Sequence, residues 1–180
     1  MRKAWVPVLL AVLTIVSFGC NKDLKDPDNE IKYTGPLIEN RNVTTLYSES
    51  AEVLVKLEAP VQQEFDDGNS VYPDGLYVEF YEKEPGVVSS TLRANYGKQE
   101  RNKSLYLARG KVVVENLEKK EKLETEELFW DQRKGNIYTD KFVKITTPER
   151  ILMGNGLKAK QDFSDYTILN PTGTFELNQQ

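Results

Sequence analysis

The sequence predicts an all-β protein, folded as a sandwich or a roll. Apolar residues recur at every second position, β-branched and aromatic residues are frequent within the apolar runs, and turn signals that contain Gly or Pro separate those runs. A chain of 180 residues can form one domain with a sizeable core and is too short for two comfortable ones.

The N-terminus has the features of a secretory signal. Two basic residues precede an apolar run from Ala4 to Phe18, which is shorter than a comfortable membrane span. The single cysteine, Cys20, follows the small residue Gly19, and the segment resembles a bacterial lipoprotein signal, in which this cysteine carries the lipid. We predict a lipoprotein signal peptide at residues 1–19 and lipid attachment at Cys20; the alternative is an uncleaved membrane anchor.

A polar segment separates this signal from the apolar runs. It contains two prolines and few apolar side chains, a composition typical of a flexible linker. We predict that residues 20–42 form the lipidated N-terminus and the linker. The folded domain is then expected at residues 43–180.

Alternation of apolar and polar residues predicts the strands in the first half of the domain. Segments 50–60, 75–86 and 90–98 each show a period of two, and turn signals at Pro73–Gly75 and Pro85–Gly86 separate them. Their apolar faces carry Val53, Val55, Leu57, Leu76, Val78, Phe80 and Leu92.

The second half contains longer strands with the same period. Segment 103–118 alternates as far as Gly110, where a break is followed by the apolar run Val112–Val114. Segment 124–146 is predicted to be a hairpin that turns at Arg133–Gly135. Segments 149–161 and 165–177 follow as further strands.

One stretch of the chain could form a helix instead. Residues 116–128 are rich in helix formers. A packed helix needs apolar residues three or four positions apart, whereas Leu117, Leu123 and Leu128 are spaced more widely. We therefore predict that the charged residues 118–122 form the tip of a β-hairpin.

Composition and charge argue against several classes of function. The net charge of −4 gives no basic excess for binding nucleic acid. The chain has no histidine and one cysteine, so it lacks the usual general base, the commonest metal ligand and any thiolate cluster. We predict no enzyme activity, no cofactor and no metal site. A hydrolase with paired carboxylates stays an alternative, and it would need two carboxyl groups that face each other in a cleft.

The order of motifs from about Ser48 to Leu177 resembles the LptC family, the periplasmic, membrane-anchored component of the lipopolysaccharide export transporter. The motifs are Gly110 with Val112, "LETEELFWD" at 123–131, "IYTDKFVKI" at 137–145, "GNGL" at 154–157 and "NPTGTF" at 170–175. Upstream, "YPDGLYVEFYE" at 72–82 is similar to versions of the family that are anchored as lipoproteins.

The resemblance implies a fold, a function and a set of partners. The fold would be an open, twisted antiparallel β-roll, jelly-roll-like, in which two facing sheets enclose an apolar groove for the acyl chains of lipopolysaccharide (lipid A). The N-terminal edge would dock on the inner-membrane ABC transporter, and the C-terminal edge would pair with a periplasmic bridge protein of similar fold. The protein would lie on the periplasmic side of the inner membrane, held there by lipidated Cys20.

The apolar inner face could be a closed core or the wall of a groove, and periodicity does not distinguish the two. The resemblance favours a groove. The residues expected to line it are Leu76, Val78, Phe80, Leu92, Leu105, Leu107, Val112, Val114, Leu128, Trp130, Ile137, Val143, Ile145, Leu157 and Ile168. The alternative is an envelope lipoprotein whose closed β-sandwich binds a protein or a glycan.

Overall fold

The computed structural model describes residues 33–81, 86–161 and 165–176, and almost every regular element in them is a β-strand. The strands are β1 (Ile38–Glu49), β2 (Glu52–Glu64), β3 (Ser70–Tyr72), β4 (Leu76–Tyr81), β5 (Val88–Ala94), β6 (Tyr96–Glu100), β7 (Leu105–Asn116), β8 (Glu121–Asp131), β9 (Asn136–Thr146), β10 (Arg150–Lys160) and β11 (Tyr166–Glu176). One 3₁₀ turn, Arg101–Lys103, links β6 to β7. Among these residues no helix is long and apolar enough to cross a membrane. The predicted signal peptide and Cys20 lie outside the described residues.

The eleven strands form one continuous antiparallel sheet. On one side β7 pairs with β8, and on the other it pairs with β6 along its first half and with β5 along its second half. In the same way β2 pairs with β4 and, further on, with β3, which in turn pairs with β6. The all-β, antiparallel prediction is therefore confirmed. The expected two facing sheets are one sheet that folds back on itself.

The first strand starts before the expected domain boundary. β1 begins at Ile38, inside the segment predicted to be linker, and pairs with β2 from Ile38↔Glu64 to Glu49↔Glu52. Most of its side chains are exposed on both faces, so it carries no apolar alternation that the sequence could reveal. Backbone pairing with the long strand β2 keeps it in the sheet.

Both predicted hairpin tips are confirmed, although the first spans residues 117–120 and not 118–122. β7 and β8 are joined by residues 117–120, where the amide of Lys119 donates to Oδ1 of Asn116 at 2.8 Å. β8 and β9 are joined by residues 132–135, and Gly135 there adopts φ +62°. The stretch rich in helix formers is a turn and a strand because Leu123 and Leu128 both reach the core from β8.

Irregular pairing recurs near the middle of five neighbouring strands. Gly110 and Lys111 of β7 have positive φ and interrupt the pairing with β8. The pairings β8–β9, β9–β10 and β10–β11 also shift near mid-strand, and Gly156 of β10 has φ +83°. Bulges bend a strand and increase its twist. We call this line of irregularities the fold line, because along it the sheet turns back on itself.

The fold line divides the sheet into two arms. The Val114 arm contains β4, β5, the second half of β7 and the strand segments paired with them. The Trp130 arm contains β6, the first half of β7 and the second half of β8. The most deeply buried large side chains, Val112, Val143 and Leu157, lie beside the fold line with exposures of 1%, 0% and 0%. The core is therefore most completely buried beside the fold line, where the two arms meet.

Candidate functional site

An unbroken row of apolar side chains crosses the inner face of the Val114 arm. Residues that lie directly opposite each other in an antiparallel pair share a face, so the register identifies the row. Its members, one from each of seven neighbouring strands, are Leu57, Val78, Leu92, Val114, Leu123, Ile145 and Leu152. Strands spaced about 4.8 Å apart make the row roughly 30 Å long. We call it the apolar row.

Burial along the apolar row falls towards both ends. Val114, Leu123 and Ile145 in the middle are 4–5% exposed, whereas Leu57 and Leu152 are half-buried. Beyond the ends, the partners are threonines: Thr45 on β1 and Thr174 on β11. The inner face is therefore packed at its centre and more accessible near the two edges of the sheet.

A second row on the Trp130 arm faces this one. Register pairs Tyr106 with Trp130, Trp130 with Ile137, Ile137 with Ala159 and Ala159 with Tyr166. Burial raises the pKa of the Tyr106 hydroxyl, and the charge of Tyr47 acts in the same direction. This second row therefore combines large aromatic side chains with the small side chain of Ala159.

Aromatic contacts join the two arms. The rings of Phe80 and Trp130 meet edge to face with centroids 6.3 Å apart, and Tyr106 stacks on Trp130 with centroids 4.7 Å apart. Phe80 is in register with Ser90 and hence with Asn116, at the far end of β7 from Tyr106. In a flat sheet these positions would be roughly 30 Å apart along the strand. The contact therefore shows directly that the arms face each other.

Tyr166 marks the other end of the interior. Burial raises the pKa of its hydroxyl, the nearby carboxylate of Glu121 raises it further, and Arg150 lowers it. Glu121 and Arg150 begin β8 and β10 on the Val114 arm, whereas Tyr166 begins β11 on the opposite arm. Charged groups of the Val114 arm thus act on the pKa of a hydroxyl that belongs to the opposite arm.

The structure brings most of the predicted groove residues onto the inner face. Val78, Leu92, Val114 and Ile145 belong to the apolar row, and Trp130 and Ile137 belong to the opposite row. The remaining predicted residues near the core are Leu76, Phe80, Val112, Leu128, Val143, Leu157 and Ile168, of which Leu76, Phe80 and Ile168 are half-buried. Whether any of them touches lipid stays a prediction.

Two predicted residues lie on the other face of the sheet. Leu105 is level with Asp131 and Leu107 with Phe129, and Phe129 stacks on Tyr138 on the outer surface. In β7 the even-numbered residues point inwards on both sides of Gly110, so Tyr106 and Ala108 take the inner positions that were expected for Leu105 and Leu107. The irregular pairing at Gly110 and Lys111 therefore does not change which residues of β7 point inwards.

Several inner residues were not among those expected to line the groove. They are Leu57, Tyr106, Leu123, Leu152, Ala159 and Tyr166. Alternation already places Leu57 on the apolar face of its strand, and Leu152 lies in the predicted strand segment 149–161. Tyr106 and Ala159 gave no apolar-alternation signal, and only pairing with Trp130 and Ile137 places them.

The outer face of the sheet is charged. Glu124 lies 3.0 Å from Nζ of Lys122 and 3.4 Å from Nζ of Lys144. Hydrogen bonding from Lys122, followed by the effect of Lys144, holds the pKa of the Glu124 carboxyl below its usual value, although burial opposes this. In the part of the chain that the structure describes, no cluster of acidic, histidine or cysteine side chains could hold a metal ion.

Two open concavities lie away from the buried centre. One of about 360 Å³ is lined by Ile137, Ala159 and Tyr166 near the start of β11. The other, of about 540 Å³, lies where β2 leaves β4, and Ala59 and Leu76 line part of it. They adjoin opposite ends of the strand order, which agrees with the fall in burial towards the ends of the apolar row.

The sheet has an unpaired edge at each end. Among the described residues β1 pairs only with β2, and β11 only with β10. An exposed edge presents backbone donors and acceptors that a strand of another protein can pair with. The apolar row thus runs between two strands that are open to pairing on their outer sides.

A comparison with protein families identifies the family of this chain. Residues 7–175 match the LptC family, described as lipopolysaccharide-assembly, LptC-related. The chain belongs to the LptC family. A comparison with curated proteins finds no match. The LptC family is a component of lipopolysaccharide transport, which involves an ABC transporter and bridge proteins in the cell envelope, and it is not a family of enzymes.

Proposed function

We propose that this LptC protein conveys lipopolysaccharide between the two arms of its sheet. The observation that supports this is the apolar row, which crosses seven strands from β2 to β10 without a polar member. Acyl chains are attracted to such a surface because burying each methylene contributes about 0.8 kcal/mol. Four of the groove residues expected from the sequence, Val78, Leu92, Val114 and Ile145, belong to this row.

Lipopolysaccharide enters at the β1 edge and leaves at the β11 edge. The inner-membrane ABC transporter docks beside β1, and a bridge protein of similar fold adds a strand to β11. The exposure of Leu46 and Phe175, 57% and 56%, supplies apolar contacts at the two edges. Energy for transport comes from ATP hydrolysis in the transporter, since this chain carries no nucleotide motif.

A lipidated Cys20 anchors the protein on the periplasmic side of the inner membrane. Two or more acyl chains on one residue hold a protein stably at a bilayer. Because the cysteine follows residues 1–19, the mature chain then starts at Cys20. An intact mass with three acyl groups on Cys20 is expected, and a Cys20→Ala variant is expected to accumulate unprocessed; an intact, unmodified N-terminus would refute the anchor.

Site-specific photo-crosslinking tests the path itself. Val113 and Val114 are adjacent, of the same type and on opposite faces: Val114 pairs with Leu123 inside, and Val113 pairs with Glu124 outside. A benzophenone side chain at position 114 is expected to form adducts with lipopolysaccharide in cells. The same group at position 113 is the matched control and is expected to form few.

The outcome also separates the two readings of the inner face. Lipid adducts at position 114 that exceed those at position 113 support conveyance. Adducts at position 114 only with the protein's own residues would favour the closed β-sandwich that binds a protein or a glycan. Equal lipid adducts at both positions would indicate non-specific contact with the membrane and would contradict the path.

A further inference from the structure

Three aromatic rings close the space between the arms. Phe80 extends from the Val114 arm and meets Trp130 edge to face, at an interplanar angle of 83°. Tyr106 lies on the same arm as Trp130 and stacks on it with an interplanar angle of 26°. The contact therefore spans the gap through which a lipid would move.

The contact lies partway along the apolar row. Phe80 is two residues beyond Val78, a member of the row on β4, and Trp130 is on β8. Leu57 lies on one side of this position in the strand order, and Leu152 lies on the other. Phe80 and Trp130 therefore meet beside the apolar row, at a position between its two ends in the strand order.

Geometry excludes an acyl chain from between the rings in this structure. Carbon atoms in contact are about 3.5–4.0 Å apart, so a chain between two rings needs their facing atoms at least roughly 7 Å apart. The ring centroids of Phe80 and Trp130 are only 6.3 Å apart, and the edge of one ring is closer still to the face of the other.

Of the three rings, only the one from the Val114 arm is not held by a side-chain hydrogen bond. The indole nitrogen of Trp130 donates to Oε1 of Gln161 at 3.2 Å, and Nε2 of Gln99 donates to the hydroxyl of Tyr106 at 2.9 Å. These hydrogen bonds keep both rings on their arm. Phe80 has no polar side-chain atom, so displacing it breaks only apolar contacts.

We propose that Phe80, Trp130 and Tyr106 form a gate across the lipid path. The gate is closed in the lipid-free protein, and an arriving acyl chain displaces Phe80 from Trp130 and takes its place. This inference rests on the proposed function, because a gate controls passage only where lipid passes. The gate would make the entry of lipopolysaccharide and its onward movement past Phe80 two separate steps.

Tryptophan fluorescence reports the gate without altering it. The chain has two tryptophans, Trp5 and Trp130, and Trp5 lies in the predicted signal peptide, so a Trp5→Phe protein in detergent emits from Trp130 alone whether or not the signal is removed. Addition of purified lipopolysaccharide is expected to shift the emission of Trp130, since acyl chains replace the ring of Phe80 beside the indole. Tyr138→Leu, which removes an outer-face aromatic that stacks on Phe129, is the control and is expected to leave the shift unchanged.

The rate of passage gives a second readout. In a Phe80→Leu variant, adducts at a benzophenone placed at Leu152 are expected to form about two- to tenfold faster, the factor that the loss of one aromatic pair supplies. Tyr138→Leu is expected to leave that rate unchanged. A thermal melt verifies that each variant is folded; if Phe80→Leu does not fold, the Trp130 emission decides.

The outcomes separate the gate from the function on which it rests. Lipid adducts at Val114 together with an unchanged Trp130 emission would overturn the gate and leave the conduit in place. An unaltered adduct rate at Leu152 in folded Phe80→Leu protein would also overturn the gate. If no lipid adducts form at either Val114 or Leu152, the conduit and the gate both fail.

Discussion

Arg109 of β7 and Glu127 of β8 lie opposite each other immediately before the strands depart from regular pairing, and Nε and Nη2 of Arg109 are 2.8 and 2.6 Å from Oε2 of Glu127. The Glu127 side chain is only 11% exposed, and Nζ of Lys141 on β9 lies 4.0 Å from its other oxygen. The carboxylate thus connects three strands across the outside of the fold line. This arrangement leads to the first prediction.

Glu127→Gln is expected to destabilise the domain by about 1 kcal/mol. A charged hydrogen bond contributes more than a neutral one, but water can replace part of it around the half-exposed Arg109. The urea midpoint measures the change. Glu126→Gln is the matched control, because Glu126 is exposed on the same strand and its loss is expected to cost less than ~0.5 kcal/mol. Equal losses in both variants would contradict a specific role for Glu127.

Gly154→Ala is expected to loosen β11. A Cβ atom at Gly154 would lie 2.5 Å from the carbonyl oxygen of Asn170 and 2.9 Å from Cα of Pro171, and backbone atoms cannot move aside cheaply. Overpacking of this kind costs about 1–3 kcal/mol. Hydrogen exchange of the β11 amides is expected to speed up in the variant.

Gly173→Ala is the control for that substitution. Its Cβ would meet only side-chain atoms of Phe175 and Met153, at 3.3 Å and beyond, and both side chains can rotate. The β11 amides of Gly173→Ala are expected to keep the slow hydrogen exchange of the unaltered protein. If Gly173→Ala disturbed β11 as much as Gly154→Ala, the close approach at Gly154 would not be the cause.

Leu157→Ala is expected to lower the free energy of unfolding by about 2–5 kcal/mol, because Leu157 is fully buried and its loss leaves a cavity beside the fold line. Leu169→Ala, on the neighbouring strand, is expected to cost much less, since Leu169 is 46% exposed. Chemical denaturation of both variants measures the difference. A small loss at Leu157 would mean that the two arms can repack around it.

Stability is expected to fall in acid, in part through Glu124. Its folded-state pKa is lowered, chiefly by the hydrogen bond from Lys122, so the contribution is present above the unfolded pKa of about 4.3 and is lost as pH falls through the folded pKa. The side chain is partly exposed, so the effect is below about 1 kcal/mol.

Urea midpoints across this pH range test the contribution. The urea midpoint of Glu124→Gln is expected to change less between about pH 5 and pH 3 than the urea midpoint of the unaltered protein. High salt is expected to reduce the difference, because it screens exposed charges. An identical pH dependence in the two proteins would show that the lysine contacts of Glu124 contribute nothing.

Local sequence signals were sufficient for the elements that depend on neighbouring residues. The hairpin of β8 and β9 follows from alternation on both sides of a charged turn, and the tip at residues 117–120 follows from the absence of a helical stripe. Family membership was likewise readable from the order of short motifs. These features need no knowledge of distant contacts, because periodicity and turn chemistry are local properties.

Strand β1 and the site register required more than local signals. β1 has polar side chains on both faces, so only pairing with β2 identifies it as a strand. In β8 the inward positions switch from odd numbers at Leu123 and Thr125 to even numbers at Leu128 and Trp130. A change of one position moves side chains to the other face, and the sequence carries no mark of where it happens.

By itself the sequence determined that this LptC protein is built of antiparallel strands with one apolar face, and that the chain has no histidine and a single cysteine. Only the tertiary structure decided that the strands form one sheet, that the sheet bends along aligned irregularities, and that Phe80 meets Trp130 between the arms. The physical reason is that alternation specifies which residues must leave water, whereas pairing between distant strands specifies which of them meet.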